Sequence, residues 1–403
     1  MRSNKIEIAS LIDQSKIAAQ ENLNELLERK KSLEKVAPQF KVVVSDVRDF
    51  LEEMKQKLDL EESHIEYDGA AERKRIEKET LGHAEKVMMP LLHPALLSMN
   101  DIVRDFTQAE HHVHRNYFQR HLHSLLLLSP FVCRAYSKPL GFPGDYEMMN
   151  MLYGDHDVGE SLFARLINRY SCRVTAAQAV VDRVPYMLDK MNRAIARNLH
   201  REEGVFITSI GSGPAQEVQD LIRTNPHSDR CRVSLVDMAQ EALWQCHSRI
   251  LDLKSTFDSR IDVHYLNRTV HQLIRDPEAL APYTGQDLIY TVGLFDYLPV
   301  HIAKRLTQKL CQLLSDQGEL VIGNFDVSND SRYYMEYAAE WYLIHRTPEE
   351  MRVLAEEIPS VSEVVVESND NGAQLYLIIR KDRKLRSLPG KGLIALPAFN
   401  KAN

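Results

Sequence analysis

The hydrophobic pattern changes once along the chain, near residue 204, and that change limits the available folds more than any other feature. Before it, apolar residues recur at helical spacing almost throughout; after it, apolar runs of strand length alternate with helical stretches. The runs cover 205–210 (VFITSI), 233–237, 261–266, 287–292, 319–325, 362–368 and 373–380. Strands that alternate with helices require crossover connections, so the pattern predicts an α/β fold with a doubly wound, mostly parallel seven-stranded sheet. An N-terminal all-helical domain precedes it. The 403 residues are enough for two such units, read here as a helical region 1–200, an α/β domain 201–380 and a loosely ordered tail 381–403.

Within the helical region, Leu23, Leu26, Leu27, Leu33 and Val36 fall on one stripe, and Val43, Val47, Phe50, Leu51, Met54 and Leu58 on another. Pro38 separates them, so residues 1–62 read as a helical hairpin whose stripes are open to a homodimer, an assembly arm ahead of a cap over 63–200. Further helices are expected at 70–88, 94–128, 159–171 and 174–200, with Pro90, Pro94 and Pro130 as breaks.

Charge and cysteine usage narrow the class. A net charge of −7 gives no overall attraction to phosphate backbones or anionic lipid, so no nucleic-acid partner is expected. Five scattered cysteines without a CxxC pair fit free thiols in a reducing compartment. The first residues carry no apolar core of secretory type and the densest apolar run, Leu125 to Leu128, is far too short to span a bilayer. The chain therefore reads as cytoplasmic, with no stable membrane anchor. His111, His112, His114, His121 and His123 crowd one stretch, but no cysteine or paired carboxylate completes a zinc motif, and they read as surface or interhelical hydrogen-bonding residues with no metal.

The first strand runs directly into Gly211-Ser212-Gly213-Pro214-Ala215-Gln216-Glu217 and then a helix. A glycine-rich turn between the first strand and first helix of a doubly wound sheet lets a ligand approach the backbone at a helix N-terminus. A dinucleotide fingerprint would want a third small residue at position 216, where Gln216 stands. Asp237 ends the second strand, 24 residues after Gly213, where an acid is placed to accept hydrogen bonds from ribose hydroxyls. Asn267 at the third strand end offers an amide to an adenine edge, and the fourth strand ends in Thr291-Val292-Gly293-Leu294-Phe295-Asp296-Tyr297.

On these residues, 200–380 resembles a class I S-adenosylmethionine-dependent methyltransferase, with a Rossmann-like methyltransferase sheet. The resemblance implies S-adenosyl-L-methionine as cofactor, with Gly211, Ser212, Gly213 and Pro214 forming the methionine loop and Asp237 clamping the ribose. Met238, Asn267, Leu294 and Phe295 would complete the cofactor site. Many members carry an acid two residues before the first glycine; this chain has Ser209.

The helical half has its own signature, Lys138-Pro-Leu-Gly141-Phe142-Pro143-Gly144-Asp145-Tyr146-Glu147, and a second unusual segment runs from Tyr333 to Arg346. Together they resemble a narrower bacterial family that makes the methyl ester of 3-hydroxypalmitic acid, a quorum-sensing signal. That resemblance implies methyl transfer to a fatty-acyl carboxylate, a small-molecule acyl substrate. The expected acceptor pocket lies between cap and strand ends, lined by Lys138, Tyr146, Tyr297, Tyr337, Trp341 and Arg346, with Tyr146, Asp145, Glu336 and Arg346 as the catalytic candidates. A carboxylate needs no general base at neutral pH; an amine or hydroxyl acceptor would, and Asp145, Glu336 and His345 are the candidates. If segment 332–346 is helical, Arg346 shares a face mainly with Tyr342. The alternatives are a methyltransferase acting on another small molecule, a dinucleotide-dependent oxidoreductase, and a non-catalytic scaffold.

Overall fold

The computed structural model describes residues 30, 31, 33–65, 69–276 and 284–382. The first stripe residues Leu23, Leu26 and Leu27 and most of the expected tail lie outside them. Seven helices come first: α1 Pro38–His64, α2 Ala70–Val103, α3 Gln108–Leu126, α4 Pro130–Ser137, α5 Tyr146–Tyr153, α6 Leu162–Ser171 and α7 Thr175–Asn198. The alternating half follows as β1 Val205–Ile210, α8 Gln216–Thr224, β2 Cys231–Asp237, α9 Gln240–Phe257, β3 Asp262–Asn267, α10 Val270–Arg275 and β4 Gln286–Thr291. It ends with α11 Val300–Leu313, β5 Leu314–Phe325, α12 Arg332–Ala338, α13 Pro348–Val353, β6 Val361–Ser368 and β7 Gln374–Lys381.

The expected doubly wound seven-stranded sheet is present, in the order β3-β2-β1-β4-β5-β7-β6. The first five strands run parallel and β7 lies antiparallel between β5 and β6. Strand order reverses at β1, flanked by β2 on one side and β4 on the other. In open α/β sheets the crevice at that switch point, outside the C-terminal strand ends, is where ligands bind. One face is covered by α8, α9 and the second half of α7 through Met187, Met191, Val218, Leu221 and Cys246. The opposite face is covered by α10, α11 and α13 through Leu273, Leu306, Leu310 and Met351.

Two expectations about the helical half are corrected. Pro90 and Pro94 do not break a helix; α2 runs through both. Both are exposed, so the carbonyls that lose a backbone donor face water, while Met88, Leu92, Leu96 and Met99 on the other side stay buried and hold the helix straight through. The break falls instead at 104–107, where Thr107 and Glu110 form a capping box that starts α3. The second apolar stripe is also not free. Val47, Leu51, Met54 and Leu58 are buried in one core with α2, α3 and α6, together with Phe40 and Val44, while Val43 and Phe50 are partly buried against it.

The change of pattern near 204 is not a boundary in packing. The helical core takes in Phe325 at the end of β5 and Tyr333, Tyr334, Met335, Tyr337 and Trp341 beyond it. Helix α7 joins the two halves: Ala176, Ala177 and Val180 belong to the helical core, whereas Met187, Met191 and Ile195 pack on the sheet. None of the described helices is long and apolar enough to cross a membrane.

Leu51 is fully buried, so Leu51→Ala should lower unfolding free energy by about 2–5 kcal/mol with no change in oligomeric state. Denaturant titration and light scattering test this together. A shift in assembly at unchanged stability would return the stripe to an intermolecular role.

Candidate active site

The turn after β1 is built by backbone bonds. The Gly211 and Ser212 N–H groups donate to the Val236 carbonyl of β2 at 2.8 and 3.1 Å. Gly211 and Gly213 hold φ of +68° and +51°, a region that L side chains enter only at a cost of about 1–2 kcal/mol. A Cβ on Gly213 would meet nothing within 4 Å, while one on Gly211 would lie 3.6 Å from Leu294. The loop after β4 therefore leans on the glycine turn, and the backbone beside Gly213 is open to a ligand.

Asp237 holds that turn from the β2 side. Its Oδ2 accepts the Gly213 N–H at 2.8 Å and its Oδ1 the Ala239 N–H at 2.9 Å. Burial pushes its pKa up against these bonds, and no cation contributes to its environment among the described residues. The Ser212 hydroxyl is buried with no partner, as is the Thr291 hydroxyl at the end of β4. The other expected cofactor residues divide. Met238 is exposed at the rim and Leu294 is partly buried against the turn. Asn267 spends its amide N–H groups on the Asp237 and Met238 carbonyls, at 3.2 and 2.9 Å, and so braces the β2 turn. Phe295 is fully buried in the core beneath α11, not at a ligand surface.

The structure brings part of the expected acceptor pocket together. The Trp341 indole N–H donates to the Tyr297 hydroxyl at 3.0 Å, and burial raises the Tyr297 pKa. A Cβ on Gly144 would come within 2.7 Å of both that hydroxyl and Trp341 Cζ2. A glycine is needed there because the signature loop touches both rings. Tyr146 opens α5 nearby, half-buried, its pKa raised by burial and by the Glu147 charge.

The remaining expectations are corrected by contacts already made. Asp145 is buried as the α5 N-cap, accepting the Met148 N–H at 3.0 Å and pairing with Arg134 at 2.8 Å. Glu336 pairs with Arg332 at 2.8 Å. Tyr337 lies in the helical core, its hydroxyl 2.9 Å from His111 Nδ1. Lys138 is the left-handed C-cap of α4 and faces Glu340 at 3.8 Å. Segment 332–346 is not one helix: α12 stops at Ala338, and Glu340 at φ +49° turns the chain out. Arg346 therefore does not share a helix face with Tyr342. It is buried, donating to the Phe295 and Leu298 carbonyls at 2.8 and 2.5 Å and to Asn324 Oδ1, a brace for the loop after β4. His345 is partly buried, its Nε2 3.1 Å from Asn329, and desolvation pushes its pKa down to about 4. Of the other histidines, His114 accepts the Ala37 N–H at 2.9 Å and His123 meets the Ala338 carbonyl at 3.0 Å, whereas His112 is exposed and bonds Arg115 and Asn116 within its own helix. No group of potential metal ligands occurs among the described residues.

Sequence reasoning missed two features. Arg183, in the middle of α7, is buried below the strand ends, with its guanidinium 4.9 Å from the Phe325 ring centre, 3.8 Å from Asp296 and bonded to Gln374 Oε1 at 2.9 Å. A cation at the centre of an apolar helix stripe is the signal that could have exposed it. Phe325 also lines an apolar cavity of about 40 Å³ whose other walls include Leu152, Val180, Met335, Ala339 and Trp341. The second feature is the buried pair Glu217 and Tyr290, whose hydroxyl donates to Glu217 Oε1 at 2.6 Å.

No protein-family model and no curated protein matches the chain. Solved structures show a weak likeness to it. A possible exported protein from Bordetella parapertussis is 17% identical with a TM-score of 0.46, over 59% of this chain and 79% of that one. Magnesium protoporphyrin IX methyltransferase from Synechocystis, solved with bound S-adenosylhomocysteine, is 11% identical with a TM-score of 0.42, over 62% and 98%. An O-methyltransferase family protein from Burkholderia thailandensis is 14% identical with a TM-score of 0.38, over 68% and 72%.

Arg346→Leu should cost roughly 1–3 kcal/mol for each carbonyl left without a partner, seen as a lower denaturation midpoint. Full stability with lost activity would instead make Arg346 a substrate ligand. His345 sets a pH window. With a folded pKa near 4 and an ordinary unfolded value near 6.5, the unfolded state binds the extra proton between these values. Stability is lost as pH falls from about 6.5 towards 4. His345→Asn should flatten that part of the stability profile; an unchanged slope would show the imidazole is not responsible.

Proposed function

We propose that the protein is an S-adenosylmethionine-dependent methyltransferase that esterifies the carboxylate of an acyl acceptor. The observation that carries the cofactor half of this reading is Asp237, a half-buried carboxylate without a cation, tied to the glycine turn at the switch point of the sheet. The residues present fit an adenosyl cofactor: the Asp237 oxygens have lone pairs beyond the two N–H bonds, the Ser212 hydroxyl is buried and unpartnered, and the space beside Gly213 is open. Asp237 would hold the ribose hydroxyls, and the glycine turn the methionine end. When bound, the cofactor supplies a sulfonium methyl group, open to in-line attack.

The protein's own part is to place the acceptor. Arg183 is the buried cation best placed to orient a carboxylate, in the role first expected of Arg346 and Lys138. Beyond it, Phe325 opens on the apolar cavity, which holds roughly three water-sized groups, so a longer acyl chain enters only as its lining repacks. Trp341, Tyr297 and the Gly144 turn close this region from the side of the helical cap. The acceptor carboxylate is already ionised, so orientation and exclusion of water are the contributions left to the chain, and positioning can supply about 7–11 kcal/mol. A hydroxyl acceptor would need a base, and Asp296, buried beside Arg183 with its pKa raised by burial, is the group in reach.

Calorimetry with S-adenosylhomocysteine and a methyl-transfer assay across 3-hydroxy acids of graded chain length test both halves. Binding should be lost in Asp237→Ala, since each charge-assisted bond is worth about 1.5–3 kcal/mol. Undiminished affinity in that variant overturns the cofactor site. Transfer to amines but to no carboxylic acid overturns the acceptor assignment.

A further inference from the structure

Buried carboxylates in this protein are paired with cations almost without exception. Glu77 meets Arg73 and Arg165, Asp145 meets Arg134, Asp287 meets Arg201, Asp296 meets Arg183, Glu319 meets Lys190 and Arg380, and Glu336 meets Arg332. Asp326 lacks such a partner but accepts the Ser328 N–H in a tight turn at 2.7 Å. Glu217 has neither arrangement. It is only 9% exposed, and no Lys or Arg contributes to its environment among the described residues. A buried carboxylate without a counter-charge is costly, and the first turn of α8 offsets only part of that cost.

Its position shows what the missing charge serves. Glu217 is the second residue of α8, directly after the glycine turn. Its Oε1 accepts the Tyr290 hydroxyl at 2.6 Å, which places the carboxylate at the C-terminal end of β4. Tyr290 is the register partner of Ser209 in β1, and the Ser209 side chain lies close to the Tyr290 hydroxyl. Ser209, Tyr290 and Glu217 therefore form a short chain across the switch point. Position 209 is where the glycine-turn motif ordinarily carries its acid; an acid there would set a second carboxylate one hydroxyl away from Glu217. Only one of the two sites can hold the charge at low cost. Burial raises the Glu217 pKa, as expected for a carboxylate waiting for a cation.

Resting on the cofactor reading above, we propose that Glu217 binds the ammonium group of the cofactor's methionine moiety, in place of the acid absent at Ser209. The ligand supplies the counter-charge that the fold leaves out. Tyr290 acts as a positioning residue that fixes the carboxylate.

The test compares two ligands by calorimetry on the full chain: S-adenosylhomocysteine, which carries the ammonium group, and 5′-methylthioadenosine, which lacks the amino-acid part. Glu217→Gln should weaken S-adenosylhomocysteine at least tenfold and change methylthioadenosine less than twofold. Equal affinity of the variant and wild type for S-adenosylhomocysteine overturns the assignment, as does an equal loss for both ligands in a variant that melts like wild type. If Glu217→Gln does not fold, the deaminated analogue of S-adenosylhomocysteine decides on the wild-type protein: a tenfold loss supports the site and equal binding overturns it. Failure of the wild type to bind either nucleoside overturns the cofactor reading itself, and this assignment with it.

Discussion

The carboxylate of Asp237 joins two chain reversals at one point. It ties the turn after β1, through Gly213, to the turn after β2, through Ala239, and Asn267 fastens the same turn from β3. Three adjacent strand ends thus depend on one half-buried, uncompensated acid. Such a group costs stability where a neutral residue of similar size would cost less. On the proposed reading a ligand that hydrogen-bonds it accounts for its presence, and the open space beside Gly213 lies next to it.

The other half of the site depends on α7. Because its first turns belong to the helical core and its last turns to the sheet, the helix fixes the cap relative to the strand ends. Arg183 sits at the crossing, joined to β7 through Gln374 and to the loop after β4 through Asp296. Arg346 holds that same loop from beneath through the Phe295 and Leu298 carbonyls. The buried cations thus have distinct work: Arg346 fixes the loop, and Arg183 presents charge where that loop, β5 and the apolar cavity meet.

The sheet was legible because strand length and alternation are local properties: β1 matches its run residue for residue, and the glycine turn and Asp237 fall where their spacing puts them. The helical half was less so. Pro90 and Pro94 signal a break only if their freed carbonyls are buried, and exposure is a tertiary property that a sequence does not display. The Tyr333–Arg346 segment misled for a related reason. Tyr333, Tyr334, Tyr337 and Trp341 are core residues of the cap, and Arg346 owes its role to carbonyls some 50 residues away in sequence. Glu217 was in view as part of the motif, but its significance lies in the lack of a cation, which appears only once every neighbour is placed.

A structure of the protein with S-adenosylhomocysteine bound tests the central claim most directly. The account predicts the adenosyl group over the C-terminal ends of β1 to β3, with both ribose hydroxyls within about 2.6–3.2 Å of the Asp237 carboxylate. A ligand bound away from the β1–β4 switch point, with Asp237 still bonded only to Gly213 and Ala239, would contradict it.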